Sequence, residues 1–195
     1  MKKRPTKNSR LLKKLRSQSG TSIGEMLVVT VIVLLVSGVL VSGIQLALRQ
    51  YQKSVILSEE KILASSLSNI IEGELSVANT DLMKLDDSGK LVTFRPKNYG
   101  LEKSDCGFYS VSVSDNHQVS KASDGFGELF LGSQNSSGVM SGHLLLSRAA
   151  YSQYSLKASV DVSFADEIFH VVLTIKDPTD VTSVTEFDVL SLYIP

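Results

Sequence analysis

The sequence predicts an α+β protein in which a long amino-terminal helix, first a transmembrane span and then an amphipathic stem, packs on a carboxy-terminal antiparallel β-sheet. Three observations lead there. Met26 to Leu48 carries no charge and only Thr30, Ser37, Ser42 and Gln45 as polar members, a length that lets a helix cross a hydrocarbon core of roughly 30 Å. Past it, apolar residues recur at steps of three and four, and from about residue 91 apolar and polar residues alternate with period two.

The first element is a basic leader. Residues 1–20 hold Lys2, Lys3, Arg4, Lys7, Arg10, Lys13, Lys14 and Arg16 and no acid, whereas Arg49 and Lys53 beyond the span are offset by Glu59 and Glu60. That asymmetry keeps the amino terminus cytoplasmic and places the remainder outside. A secretory signal is the competing reading, because Val41 and Gly43 are small enough to imitate a conventional cleavage site. Its apolar region is ordinarily only about 7–15 residues long. A simple uncleaved anchor is the third reading. At the front edge of the span stands one acid, Glu25, and a carboxylate there is costly in lipid unless it has a partner, which marks it as functional.

The stretch Gly20-Thr21-Ser22-Ile23-Gly24-Glu25-Met26-Leu27-Val28-Val29 resembles the prepilin leader and cleavage motif of type IV pilins and pilin-like proteins. The resemblance covers residues 1 to about 75. It implies that a membrane aspartyl peptidase, the prepilin peptidase, cuts after Gly20 and methylates the new amino terminus at Thr21, and that Glu25 is the assembly residue. It also implies a pilin-like fold, and as partners other pilin or pseudopilin subunits and the membrane platform of an assembly machine. Thr21 stands where the family usually has Phe or Met, Leu34 where it often has Gly and Ser42 where it often has Pro, departures that suit a minor pilin better than a major one.

Within the span, Ser37-Gly38 and Ser42-Gly43 are positions where a helix bends readily. One reading is a segment that stretches or unwinds when subunits pack; the other is that small residues allow close helix contact in the bilayer. The domain plan is a leader over 1–20, a transmembrane helix over 21–48, a stem over 49–75 and an extracytoplasmic β domain over 76–195. From Thr21 to about Gly73 the helix would reach roughly 80 Å. Leu48, Tyr51, Val55, Ile62, Leu63, Leu67, Ile70, Ile71 and Leu75 form the predicted apolar stripe of the stem, with Gln52, Lys53, Glu59, Glu60 and Glu72 placed elsewhere. The outer half of the helix therefore needs a cover, and the strands supply one.

Residues 76–90 are expected to be a connection. Strands are predicted over Leu91 to Phe94, around Tyr109 to Val113, over Leu156 to Phe164, over Phe169 to Ile175 and from Thr185 to Ile194. Alternation with one polar face suggests antiparallel strands lying on a helix. Ser114 to Gly127 and Gly132 to Gly142 are rich in Ser, Gly and Asn and are predicted to be exposed loops, and Asp177-Pro178-Thr179-Asp180 a turn joining two strands.

Without the leader, residues 21–195 keep 12 bases against 20 acids, a net −8. An acidic mature protein argues against direct nucleic-acid binding, which rests on Lys and Arg. Cys106 is the only cysteine, so no internal disulfide forms, and it is expected to be a buried small hydrophobe. His117, His143 and His170 lie far apart with no helical His-Glu pair or Cys-His framework for zinc. Ser58-Glu59-Glu60-Lys61 has the spacing of a serine and lysine acylation motif without its companion motifs. The acids of Asp177 to Asp180 lack the dense oxygen-ligand spacing of a calcium loop. No catalytic residue, metal site or cofactor is expected. The sequence points to a structural subunit, a minor pilin or pseudopilin, serving a type IV pilus, a competence pseudopilus or a type II secretion pseudopilus. The alternative is a single-pass membrane-tethered extracellular binding module that does not polymerise, and recovery in sheared filaments separates the two.

Overall fold

The computed structural model describes residues 23–96, 105–114, 118–135 and 137–192. The chain divides into two compact units, Met1–Gln52 and Lys53–Pro195. One helix, α1 (Ile23–Ser76), supplies every described residue of the first unit and the opening of the second. It remains helical through Ser37-Gly38 and Ser42-Gly43. The Ser37 hydroxyl donates to the Val33 carbonyl at 2.7 Å and Ser42 to Gly38 at 2.8 Å, a back-bond that satisfies a hydroxyl inside an apolar helix.

In the second unit, a 3-10 turn (Thr80–Leu82) and β1 (Lys84–Leu85) follow the helix. Then come β2 (Leu91–Thr93), β3 (Gly107–Val113), β4 (Val119–Lys121), β5 (Glu128–Gln134) and β6 (Met140–Leu144). A short helix α2 (Arg148–Ser152) precedes β7 (Lys157–Ala165), β8 (Ile168–Lys176) and β9 (Thr182–Leu190). All pairings are antiparallel.

Among the described residues the expected single sheet is three sheets: β1-β2, β4-β3-β5-β6 and β7-β8-β9. Bridges at Lys90↔Ser163, Phe94↔Cys106 and Gly127↔Ala158 join them. The α+β class and the antiparallel order agree with the sequence reading.

One core fills the second unit. Leu63, Leu67, Ile71 and Leu75 of α1 meet Leu129 and Leu131 of β5, Ala158 and Val162 of β7, Phe169, Val171, Leu173 and Ile175 of β8, and Val189 of β9. Period-two alternation on β8 turns these four toward the helix and leaves His170 exposed, as one buried face requires. Cys106 is fully buried in the same core, and burial raises its thiol. The α2 helix delivers Tyr151, whose hydroxyl accepts from the Leu129 N–H at 3.2 Å. Burial pushes that phenol up to about 12.

The packed stripe starts later than expected. Leu48, Tyr51 and Ile62 are exposed, while Glu60, placed off the stripe, is buried together with Glu74. Spacing explains this, because Glu60, Leu63, Leu67, Ile71 and Glu74 follow one helical face, whereas Leu48, Tyr51 and Ile62 do not share it.

The two segments predicted as exposed loops are also corrected. Ser114 to Gly127 contains β4, and Gly132 to Gly142 contributes the end of β5 and the start of β6. Gly132 and Gly142 face each other across β5 and β6. A Cβ on Gly132 would collide with the Ser141 carbonyl, and the Phe130 ring lies over both glycines. Here glycine permits close approach of two strands beneath an aromatic ring, a use of glycine in sheets that composition alone reads as loop. The segment over 76–90, expected to be a bare connection, contains the 3-10 turn and β1.

Candidate functional site: the apolar amino-terminal segment of α1

Glu25 stands in the first turn of α1 and is exposed. The helix dipole favours a carboxylate in the first turn. Met26 begins the uncharged stretch immediately after it. The large apolar side chains from Ile23 to Leu48 are all exposed, from 46% at Val31 to 87% at Ile23. Met26 to Leu48 spans about 34 Å at 1.5 Å per residue, matching a bilayer core of roughly 30 Å.

The segment is long and apolar enough to cross a membrane. Thr30 donates to the Leu27 carbonyl at 2.8 Å and to the Met26 carbonyl at 3.1 Å, so its hydroxyl, like those of Ser37 and Ser42, is satisfied within the helix, as hydrocarbon demands. Gly38 and Gly43 have open space where a Cβ would stand.

Of the residues singled out by sequence, Gly20, Thr21, the basic leader, His117 and Ile194 lie outside the described residues. Ser58 and Lys61 are exposed on α1 beside the buried Glu60. His143 is half-buried in β6, and burial lowers it.

What sequence separation hid is a polar row on the solvent face of β7-β8-β9. Antiparallel register sets Ser163, His170 and Asp188 side by side, and His170 Nδ1 lies 2.6 Å from Asp188 Oδ1. Among the described residues no hydrogen bond links Ser163 to the ring, and His170 and Asp188 are open to water. The row is thus an exposed His-Asp hydrogen-bonded pair rather than an assembled charge relay, which requires the nucleophile within hydrogen-bond reach of the base.

The turn between β8 and β9 forms as predicted. Asp177 Oδ1 accepts from the N–H groups of Thr179 at 2.8 Å and Val181 at 2.9 Å and from the Thr179 hydroxyl at 2.8 Å. Partial burial raises Asp177, but these bonds and nearby Lys53 outweigh it and hold the carboxyl below its ordinary range. Glu60 shows the opposite balance, because burial and then the charge of Asp177 push it up. Asp180 pairs with Lys176 at 2.8 Å. Both acids of the turn are thereby engaged by the turn and its flank.

Fold and segment together define an α+β protein with a membrane-length amino-terminal helix. No protein-family model matches the chain, and neither a curated protein nor a solved structure matches it.

Proposed function

We propose that the chain is a non-enzymatic structural subunit, a minor pilin or pseudopilin, of a type IV pilus, competence pseudopilus or type II secretion pseudopilus. Its partners on this reading are the prepilin peptidase, sibling subunits and the membrane platform of the assembly machine. The observation that carries it is the conjunction of Gly20 and Glu25 with an apolar helix exposed on all sides, which continues into a stem packed on antiparallel sheets.

In mechanism, the basic leader holds the precursor amino-terminus-in, and cleavage after Gly20 leaves a cationic, methylated amine on Thr21. Glu25 stands four positions after Thr21 in sequence, about the number in one turn of a helix. In a staggered bundle the amine of an incoming subunit meets the Glu25 carboxylate of a neighbour. Their attraction in a low dielectric then rewards assembly and sets axial register.

Intact-mass analysis of membrane and sheared-surface fractions from native cells tests this. The expected species begins at Thr21 in both fractions, while Glu25→Leu is still cleaved yet depleted from the sheared fraction. An intact Met1 or a start at Ile44 removes the prepilin reading. Equal recovery of Glu25→Leu in the sheared fraction removes the charge-pairing step alone.

A further inference from the structure

β9 differs from every other strand edge in the second unit. It pairs with β8 through nine consecutive residue pairs, Lys176↔Thr182 to Ile168↔Leu190, without a register shift. Its other side pairs with no strand among the described residues. The opposite edge of this sheet, β7, is partly closed by the bridges at Ser163 and Ala158. In the four-stranded sheet the edges are the three-residue β4 and the five-residue β6, which carries Gly142.

Long regular edges template strand addition and are normally blunted by charged side chains, lysine above all, by proline or by a bulge. Of charged side chains β9 carries only the acids Glu186 and Asp188, which still admit a basic strand. Residues 179–192 contain neither lysine, arginine nor proline. Along the outward face of β9, Val184 (55% exposed), Glu186, Asp188 and Leu190 (58% exposed) follow one another at period two. Apolar, acidic, acidic, apolar is the order.

A second copy of β9 fits this edge poorly. Antiparallel self-pairing about Phe187 would set Glu186 opposite Asp188, and like charges directly opposite are destabilising. The complementary strand instead carries an apolar residue, two bases and an apolar residue at alternate positions. We propose that the outer edge of β9, which no described strand pairs, is a docking site for an extended segment of a partner protein with this pattern. Backbone pairing supplies the attraction, and the bases facing Glu186 and Asp188 supply selectivity. The inference rests on the second unit alone and stands or falls apart from pilus assembly.

The heptapeptide Val-Thr-Lys-Thr-Lys-Thr-Val presents the pattern in either strand direction, so it is the probe. Titrated into the full chain in detergent micelles, it should bind saturably, bind more weakly as salt rises, and slow amide exchange across Thr182–Leu190. A version with glutamate for lysine should not bind. The double variant Glu186→Lys with Asp188→Lys should lose affinity for the basic peptide by about tenfold or more and gain it for the acidic one. Absence of saturable binding at millimolar peptide overturns the proposal. Equal binding by a peptide N-methylated at alternate residues also overturns it, since charge alone would then account for the contact. Protection of β9 without peptide, rising with protein concentration, would assign the edge to a second copy and overturn the partner named here.

Discussion

The two halves of α1 are both rich in aliphatic residues, yet their burial is opposite. From Ile23 to Leu48 every large apolar side chain is exposed, whereas Leu63, Leu67, Ile71 and Leu75 are buried while Ile62 stays exposed. The difference lies in arrangement rather than composition. A helix apolar all round must find its medium outside the chain, while a helix apolar on one stripe finds its cover in the chain's own sheets. The halves also treat polar groups differently: the exposed half satisfies Thr30, Ser37 and Ser42 against its own carbonyls. The packed half takes two acids, Glu60 and Glu74, into its buried face.

Truncation should separate the halves most sharply. Leu67 is fully buried, so Leu67→Ala should cost about 2–5 kcal/mol of the second unit's stability. Leu35, 67% exposed, contributes nothing to that core, and Leu35→Ala should leave the same unfolding transition in place. Urea unfolding of the full chain in micelles, followed by near-ultraviolet circular dichroism of the tyrosines, checks both. Equal losses would show that the apolar half also supports the folded β unit.

A smaller contrast comes from glycine. Gly38 has open space at its missing Cβ, while Gly132 faces the Ser141 carbonyl and the Phe130 ring. Gly132→Ala should therefore destabilise by about 1–3 kcal/mol through overpacking. Gly38→Ala should favour the helix by up to about 1 kcal/mol and leave the β unit unchanged. Should Gly132→Ala prove neutral in the same unfolding measurement, the close pairing of β5 with β6 is not a constraint on this sheet.

How much of this was legible in the sequence follows from which forces are local. The helix, its apolar run and the strands β7 and β8 were legible because period and burial coincide at Val171, Leu173 and Ile175. Their connecting hairpin was not, since Asp166 and Glu167 both take positive φ without the Asn-Gly signature that such two-residue turns favour. Strands β5 and β6 were hidden because Gly132 and Gly142 owe their places to each other and to Phe130. The His170 and Asp188 pair was invisible for the same reason, being set by register across a turn. At the apolar segment the position of Glu25, exposed in the first turn of α1, agrees with one charge at the edge of an uncharged run. Glu60 departs from the sequence reading because it shares the helical face of Leu63, Leu67 and Ile71, which carries the carboxyl inward, and the burial then raises its pKa.

That buried acid supplies the finest test of how the packed half differs from the exposed one. Burial first and the charge of Asp177 second raise Glu60 above its ordinary 4.5. An acid whose folded pKa lies above its unfolded pKa contributes most to stability below the unfolded value, and that contribution is lost as pH rises through the folded value. Ionised Glu60 therefore works against the packing of α1 on the β8-β9 turn at neutral pH, and its protonation relieves this. Asp177, held below its ordinary range by Thr179, Val181 and Lys53 against the pull of burial, has the opposite slope, and that slope falls at more acidic pH. Glu60→Gln keeps the shape and removes the charge. It should unfold at higher denaturant than wild type at neutral pH, with the gap narrowing toward about pH 4, where wild-type Glu60 is itself protonated. Unfolding midpoints of the two proteins between about pH 4 and 7 decide the matter: parallel curves would mean that Glu60 keeps its solvation despite its place on the buried stripe.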